Sequence, residues 1–533
     1  MGLDYLFVEI RRGQGLVFFC IFAITMSIVM KRKVLSLTVL LALLVGCGEE
    51  EPEQGGVELV DVEGYVPVGL KADGISATLE GSSTFYVTRP GETDFSSVDL
   101  AFTTEATIIL MDGQKVGPVV MDVNLNQPVT FRFFLKGLYQ DYTVVARNSG
   151  LPIVRIETPE HRGITSKDVW LEGATMQIVT PEGEELYQGS TDIRGRGNST
   201  WGYPKKPYAL RLAKKAELLS MPAHKRWILL ANWKDRTILR NDAAFWLSRE
   251  AGLPYTVRGQ FVELVLNGKH QGNYYLCEQI KIDKERVPVD KMDAGETDPE
   301  KITGGFLLEL DTYYDEPLKF TFPDRFNLPW MVKEPDEEDI STAAFDYIRN
   351  WIGALETLLK DESKVLSHAY EEYVDVDSAI DYLIVEELTG NNDFYGTWPS
   401  VGPHSAYMYK ARNGKLYSGP VWDFDYHTFY PGGSRTWVGA KKTMLYPALQ
   451  KDPKFQARLV ERWNARKAAL KKLPDYIDSQ VDYLRVSESV NQQLWPISNR
   501  ENGDETMTFQ QAVDRMKKSF LDKWEWMDEN IGK

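Results

Sequence analysis

Pro420-Val421-Trp422-Asp423-Phe424-Asp425-Tyr426-His427-Thr428-Phe429 sets two acids, two residues apart, inside an aromatic, strand-like run. In an extended segment such positions share one face, roughly 6.6 Å apart along the backbone. Two carboxylates held that way among apolar neighbours repel unless a cation stands between them. A hard divalent ion such as Mg²⁺ meets that need, because it takes carboxylate oxygens. The simpler use of the pair is a strand end whose acids face water or bind Lys and Arg. Which use applies depends on what the rest of the chain brings to the same place.

At 533 residues the chain is long enough for about two to four domains. A hydrophobic share of 43%, with 12% aromatic, supports packed cores rather than disorder. The formal charge of -16 argues against a nucleic-acid binder, which needs a basic stripe to displace counterions. Met30-Lys31-Arg32-Lys33, the apolar run Val34 to Val45 and Gly46-Cys47 read as a secretory signal. Leu44-Val45-Gly46-Cys47 resembles the lipobox of bacterial lipoproteins, which implies lipidation of Cys47 as the mature N-terminus. An earlier apolar run, Leu16 to Val29, is explained by a true start at Met30, with residues 1–29 an over-extended start; the alternative is an N-terminal membrane span. Residues 48–58 form an acidic, glycine-containing tether expected to be disordered. The protein is thus expected in the cell envelope, held to the membrane by its lipid alone, in the outer membrane and facing the surface. Only Cys277 remains in the mature fold, so neither an internal disulfide nor a Cys-based zinc site is available.

Residues 59–150 carry short alternating segments separated by turn residues, among them Ser83–Thr88, Ser97–Phe102, Val129–Phe134 and Tyr142–Ala146. This spacing predicts an all-β sandwich, similar to the immunoglobulin-like spacers of surface lipoproteins. From Leu151 strands and helices mix, marking an α+β domain over 151–440. Helices are predicted at Thr237–Ala251, 339–361 and 375–390, and a hairpin at 260–280 turning on Asn267-Gly268. Residues 441–533 read as a charged helical subregion.

Two further stretches carry chemistry. Arg194-Gly195-Arg196-Gly197-Asn198-Ser199-Thr200 is a glycine-rich, electropositive loop feeding a strand that carries Lys205 and Lys206 at its entry. Kinases hold nucleotide phosphates with such a loop and lysine strand, while a tight hairpin with a basic rim is the commoner use. Glu386-Glu387-Leu388-Thr389-Gly390-Asn391-Asn392-Asp393 ends a helix about thirty residues before the acid pair. Asp393 there suits orienting or deprotonating an attacking hydroxyl, or alternatively forming a plain helix cap and turn. Other chemistries lack their signatures. The six histidines form no HExxH, no G-x-S-x-G occurs, and a two-carboxylate glycosidase would leave the glycine loop and lysine strand unexplained.

Arg194–Trp201 with Lys205-Lys206, Asn232-Trp-Lys-Asp-Arg-Thr-Ile-Leu-Arg-Asn241, Asn267–Gln279, Gly304–Asp311 and Trp422-Asp-Phe-Asp425 together resemble, in order, the CotH spore-coat kinase family, over about 170–435. The resemblance implies an atypical protein-kinase fold that binds ATP with Mg²⁺ and phosphorylates Ser or Thr of secreted or coat proteins. It also implies residue roles. Arg194, Gly195, Arg196, Gly197, Asn198 and Ser199 would cover the phosphates and Lys205 or Lys206 would contact them. Asp393 would be the catalytic acid, Asp423 and Asp425 the metal ligands, and the segment after Glu278-Gln279-Ile280 the adenine hinge. Asp242 or Glu250 would pair with the phosphate lysine. Two departures bear on activity. No Asn follows Asp393 before the hairpin, leaving His404 or Ser405 for a second metal, and Asp425 stands where ordinary kinases have Gly. Those departures, with the scarcity of ATP outside the cell, keep a pseudokinase acting in surface adhesion as the alternative, and a carbohydrate-active protein behind it.

Overall fold

The computed structural model describes the backbone of residues 4–12, 15–30 and 33–41 and, from Asp61 onward, the chain except 395–401, 434, 441 and 498–501. It divides into Met1–Val62 and Glu63–Lys533. In the first unit Asp4–Arg12, Gly15–Met30 and Lys33–Leu41 pair as a three-stranded antiparallel sheet. The apolar run Leu16 to Val29 and residues 34–41 of the expected leader are drawn out as strands there, a conformation that suits their Val, Ile, Phe and Thr. Cys47 and the tether 48–58 lie outside the described residues. Among the described residues no helix is long and apolar enough to cross a membrane.

The second unit opens with two sheets enclosing a core that includes Leu100, Phe131, Phe133, Tyr142 and Val144. Strands Val129–Leu135 and Leu138–Arg147 pair through a tight hairpin, and Thr84–Thr88 joins the second of them in parallel. Sequence alternation located these strands but passed over Val68–Ala72 and Val119–Val123, which pair with Val98–Thr104. Both are short, half-exposed segments whose pattern is too weak to stand out.

A closed seven-stranded barrel follows: β1 (Ile153–Glu157), β2 (Leu171–Val179), β3 (Glu185–Gly195), β4 (Tyr208–Leu218), β5 (Met221–Leu230), β6 (Gly259–Leu266) and β7 (Lys269–Glu278). The order is β1-β2-β3-β4-β5-β7-β6, closed by β6 lying parallel to β1. Alternate residues point inward, so Ile193, Leu210, Leu212, Trp227 and Leu229 fill the barrel. The intervening row Arg194, Ala209, Ile228 and Cys277, paired across β3, β4, β5 and β7, faces the rest of the domain. The predicted hairpin turns at Asn267 and Gly268, both with positive φ as its tight turn requires.

Below the barrel, β8 (Phe306–Leu310), β9 (Lys319–Phe320), β10 (Trp330–Glu334), β11 (Ala406–Lys410) and β12 (Leu416–Ser418) form an antiparallel sheet in the order β9-β10-β8-β11-β12. Helices α1 (Arg240–Ala251), α2 (Thr342–Lys360), α3 (Val376–Thr389), α4 (Pro453–Leu470), α5 (Leu473–Leu494) and α6 (Phe509–Asn530) pack around it. Side-chain caps begin α2 and α3, from Ser341 and Asp375, while Gly252 and Gly390 in the left-handed conformation end α1 and α3. The α4–α6 helices share one core with α1 and α3 rather than standing apart. Arg462 on α4, for example, ion-pairs with Asp377 and Asp381 on α3.

Candidate functional site

Between barrel and sheet lies a cavity of about 620 Å³, within the size range of small-ligand sites. Its walls include Arg194 to Thr200, Lys205, Asp393, Asp423 and Asp425, so the three separated stretches do meet. Gln279 and Ile280, and Lys281 at the start of the segment expected to be the hinge, line it as well. Lys206, Asp242 and Glu250 are not among the lining residues.

The glycine loop follows from local sterics. A Cβ on Gly195 would stand 2.2 Å from the Trp201 ring, and Gly197 has φ of 79° with Thr200 Oγ1 2.0 Å from where a Cβ would be. The loop is tied down by Lys167 Nζ, which donates to Asn198 Oδ1 at 2.6 Å, and by Arg194 Nη1, which donates to the Asp168 carbonyl at 3.2 Å. The Arg196 guanidinium lies 5.3 Å from the centre of the Trp422 ring, beside the acid pair.

The acid pair departs from its expected geometry. The preceding strand stops at Ser418, and residues 419–430 form a loop, not a strand. Pro420 lacks an N–H for a ladder, and the next backbone groups are taken by side chains. Phe424 N–H donates to Asn241 Oδ1 at 2.8 Å, and the Thr428 hydroxyl donates to the Phe424 carbonyl. Val421 and Phe424, fully buried, pull the loop into the helical core. Asp423 takes a left-handed φ of 68°, open to Asp at some cost. The two carboxylates are therefore gathered by a loop instead of sharing a strand face. Burial first, and then the Asp423 charge, push the Asp425 carboxyl up to about 8. Asp423 is raised mainly by burial, against the pull of Arg196.

Asp393 follows the C-terminal turn of α3. Asn391 braces this turn: its amide donates to Glu386 at 2.8 Å, and its carbonyl accepts from Asp393 N–H at 3.0 Å. The capping use of these residues thus falls to Asn391, leaving the Asp393 carboxyl for the cavity. Burial and then the Asp423 charge push it up to about 7. Across from it, His404 lies 2.7 Å from Thr312 Oγ1 and 3.4 Å from Asp311, and Ser405 N–H donates to Asp311 at 3.0 Å. Both His404 and Ser405 line the cavity.

The two lysines point elsewhere. Lys205 Nζ is buried, donating to the carbonyls of Ala231 (2.8 Å) and Asn273 and lying 4.5 Å from the centre of the Tyr274 ring. Burial lowers its pKa to about 7. Lys206 Nζ donates to the Trp201 carbonyl at 2.6 Å. A lysine placed among the acids is Lys234, which borders the cavity, acts electrostatically on Asp393, Asp423 and Asp425, and lies 4.5 Å from the centre of the Tyr426 ring. On α1, Asp242 is engaged by tyrosines instead, accepting from Tyr275 and Tyr476 at 2.9 and 2.7 Å. A lysine–acid pair does occur in the wall, between Lys333 on β10 and Glu309 on β8 at 3.0 Å, with Glu316 as a second partner.

Sequence reasoning gave no role to Lys234, Asp311, Asn241 or Asn502. The first three lie within the quoted motifs Asn232–Asn241 and Gly304–Asp311, which was the signal available. Asn502 had none. From the loop between α5 and α6, its amide donates to the carbonyls of Lys234 (3.0 Å) and Asp425 (2.7 Å), and its carbonyl accepts from His427 N–H at 2.7 Å.

The donor set suits a nucleotide-borne divalent ion. Buried, mutually repelling carboxylates are relieved by such a cation, and Mg²⁺ uses one or two carboxylates with phosphates and water. Among the described residues no group of three acids, histidines or cysteines is placed to hold a metal by itself.

No curated protein matches the chain. The family described as CotH kinase protein matches residues 193–527, from the strand entering the glycine loop to the last turn but one of α6. Loop, acid pair and C-terminal helices thus fall within one matched span, and the chain belongs to the CotH kinase protein family.

Proposed function

We propose that the protein is an atypical protein kinase that binds Mg²⁺–ATP in this cavity and phosphorylates Ser or Thr of proteins outside the cytoplasm. The observation carrying the reading is the convergence of Asp393, Asp423 and Asp425 with the glycine loop on one cavity. When bound, Mg²⁺–ATP supplies the phosphoryl group and the cation that neutralises charge during transfer. Asp423 and Asp425 would hold the ion. The backbone of Gly195 to Ser199, with Arg196 and Lys234, would hold the phosphates, and Gln279–Lys281 would border the base. Asp393, titrating near neutrality, is suited to orient the acceptor hydroxyl and take its proton.

The leader and lipobox at Cys47 support an exported, lipid-anchored protein at the cell surface, and the sheet pair of 59–150 an immunoglobulin-like spacer. One observation favours a second reading, a pseudokinase that binds at the surface without transfer: both lysines of the loop strand are engaged by backbone carbonyls. Calorimetric titration of the full chain with Mg²⁺–ATP, followed by phosphate release and autophosphorylation assays, separates the two. Binding that vanishes in Asp423→Ala, with transfer in the parent protein, supports the kinase; binding without transfer supports the pseudokinase. Absence of Mg²⁺-dependent binding refutes the kinase.

A further inference from the structure

Next to the glycine loop, three arginines surround one indole. The guanidiniums of Arg194, Arg211 and Arg226 lie 4.6, 4.8 and 5.2 Å from the centre of the Trp170 ring. Their placement follows from register. Arg211 on β4 pairs directly with Arg226 on β5, and with Asp192 on β3. That row lies two residues along from the row Arg194, Ala209 and Ile228, which lines the cavity, and on the same face. The basic row therefore begins at the rim of the cavity, roughly 6.6 Å from the lining row.

Like charges opposite each other across strands are destabilising, and a cation over an indole offsets part of that cost. Pairing by acids is incomplete. Arg211 is bound by Asp192 at 2.8 Å and reached by Glu172 at 3.5 Å. Among the described residues neither Arg194 nor Arg226 has a carboxylate at ion-pair distance. Asp168 and Glu316 act on Arg194 only from farther off, and Glu334 and Asp336 likewise on Arg226. Arg194 Nε is buried without a hydrogen-bond partner. Beside Trp170, Val169 is 70% exposed and adds an apolar contact. On a chain of net charge -16, this is a local reversal of sign.

We infer that Trp170, Arg211 and Arg226 form a docking surface for an acidic segment of the acceptor protein, one rich in Asp, Glu or phosphoserine. The inference rests on the kinase reading for what the docked protein is, but not for the binding itself. Planar guanidiniums take carboxylate or phosphate through two parallel hydrogen bonds, and Arg226 is available for this without breaking an ion pair. The docked segment would flank the phosphorylated hydroxyl and raise its local concentration at the cavity.

The test measures binding of fluorescein-labelled peptides to the full chain by anisotropy. One peptide carries a Ser flanked by Asp and Glu, the other a Ser flanked by Lys. The acidic peptide is expected to bind more tightly, to weaken with salt, and to lose about tenfold in affinity in Arg226→Gln, with Arg226→Lys between. Mg²⁺–ATP affinity is expected to stay within twofold in Arg226→Gln. Equal binding of the two peptides, or an unchanged acidic-peptide affinity in Arg226→Gln, overturns the inference. So does displacement of the acidic peptide by Mg²⁺–ATP, which would assign the arginines to the nucleotide. Acidic-peptide binding in a chain that takes no Mg²⁺–ATP leaves the docking surface standing and removes the kinase reading.

Discussion

Asn502→Ala tests whether the C-terminal loop holds the site together. The side chain is 2% exposed and makes three hydrogen bonds, to the carbonyls of Lys234 and Asp425 and from the N–H of His427. Each is worth about 1 kcal/mol net, and the two carbonyls left behind belong to buried residues, so the loss is expected near 3 kcal/mol of unfolding free energy. Arg515, which donates to the carbonyls of Asn502 and Gly503, still anchors the loop backbone, so the helices should stay docked. What is lost is the tie between the segment carrying Lys234 and the segment carrying Asp425. Mg²⁺–ATP affinity is therefore expected to fall about tenfold, equal to about 1.4 kcal/mol. Asn502→Asp keeps the acceptor for His427 but sets a carboxylate against two carbonyl oxygens, and should be at least as damaging. Urea unfolding gives the first quantity and calorimetry on the folded variant the second. Mg²⁺–ATP affinity equal to that of the parent protein, alongside the stability loss, would refute the claim that Asn502 positions the site.

Two other consequences follow from buried charges. Glu387 on α3 is fully buried and accepts from the N–H groups of Val438, Gly439 and Ala440 (2.8, 2.7 and 2.8 Å) and from Lys523 Nζ on α6 at 3.0 Å. Lys523→Met should cost about 3 kcal/mol, the low end for orphaning a buried charge, because three donors remain; the double variant with Glu387→Gln should recover part of it, as read by urea unfolding. Lys205 has a folded pKa near 7 against 10.5 for the free side chain. Between those values the unfolded chain binds the extra proton, so raising pH from 7 toward 10 should stabilise the fold, by at most about 1.4 kcal/mol per pH unit. Lys205→Met, although less stable throughout, should lack that rise when unfolding is compared at pH 7.5 and 9.

What was legible in the sequence was whatever local chemistry encodes. The Asn267-Gly268 turn, the helix over 375–390 and the glycine loop could be read because each is fixed by residues within a few positions. The start of α1 was read three residues early, at Thr237. Its first turn is replaced by Asp235, which accepts from the N–H groups of Thr237 and Arg240, both at 2.8 Å. Barrel closure could not be read, since β1 meets β6 across about a hundred residues and alternation carries no information on partners. The aromatic run at 420–429 looked like a strand because Val, Trp, Phe and Tyr favour one. It is a loop because its neighbours are helices, and Asn241 rather than a strand receives its amide. The lysine assignment rested on order along the chain, and order does not say which way a side chain turns.

The loop geometry also bears on how the acids can act together. On a strand their separation would be set by the pleat, and the residues around them would need only the strand's own hydrogen bonds. Here Asn241 on α1 holds Phe424 between them, and Asn502 holds the carbonyl of Asp425 and the amide of His427. Arg240, beside Asn241, ion-pairs with Asp504, beside Gly503. The two clamps are thus themselves joined. Burial and then the Asp423 charge raise Asp425 to about 8, so near neutral pH it holds a proton that a bound cation would displace. The frame that holds the pair is assembled from α1 and the α5–α6 loop, and it needs both docked. The α5–α6 loop, some eighty residues beyond the acids, therefore belongs to the site as structurally as the acids do.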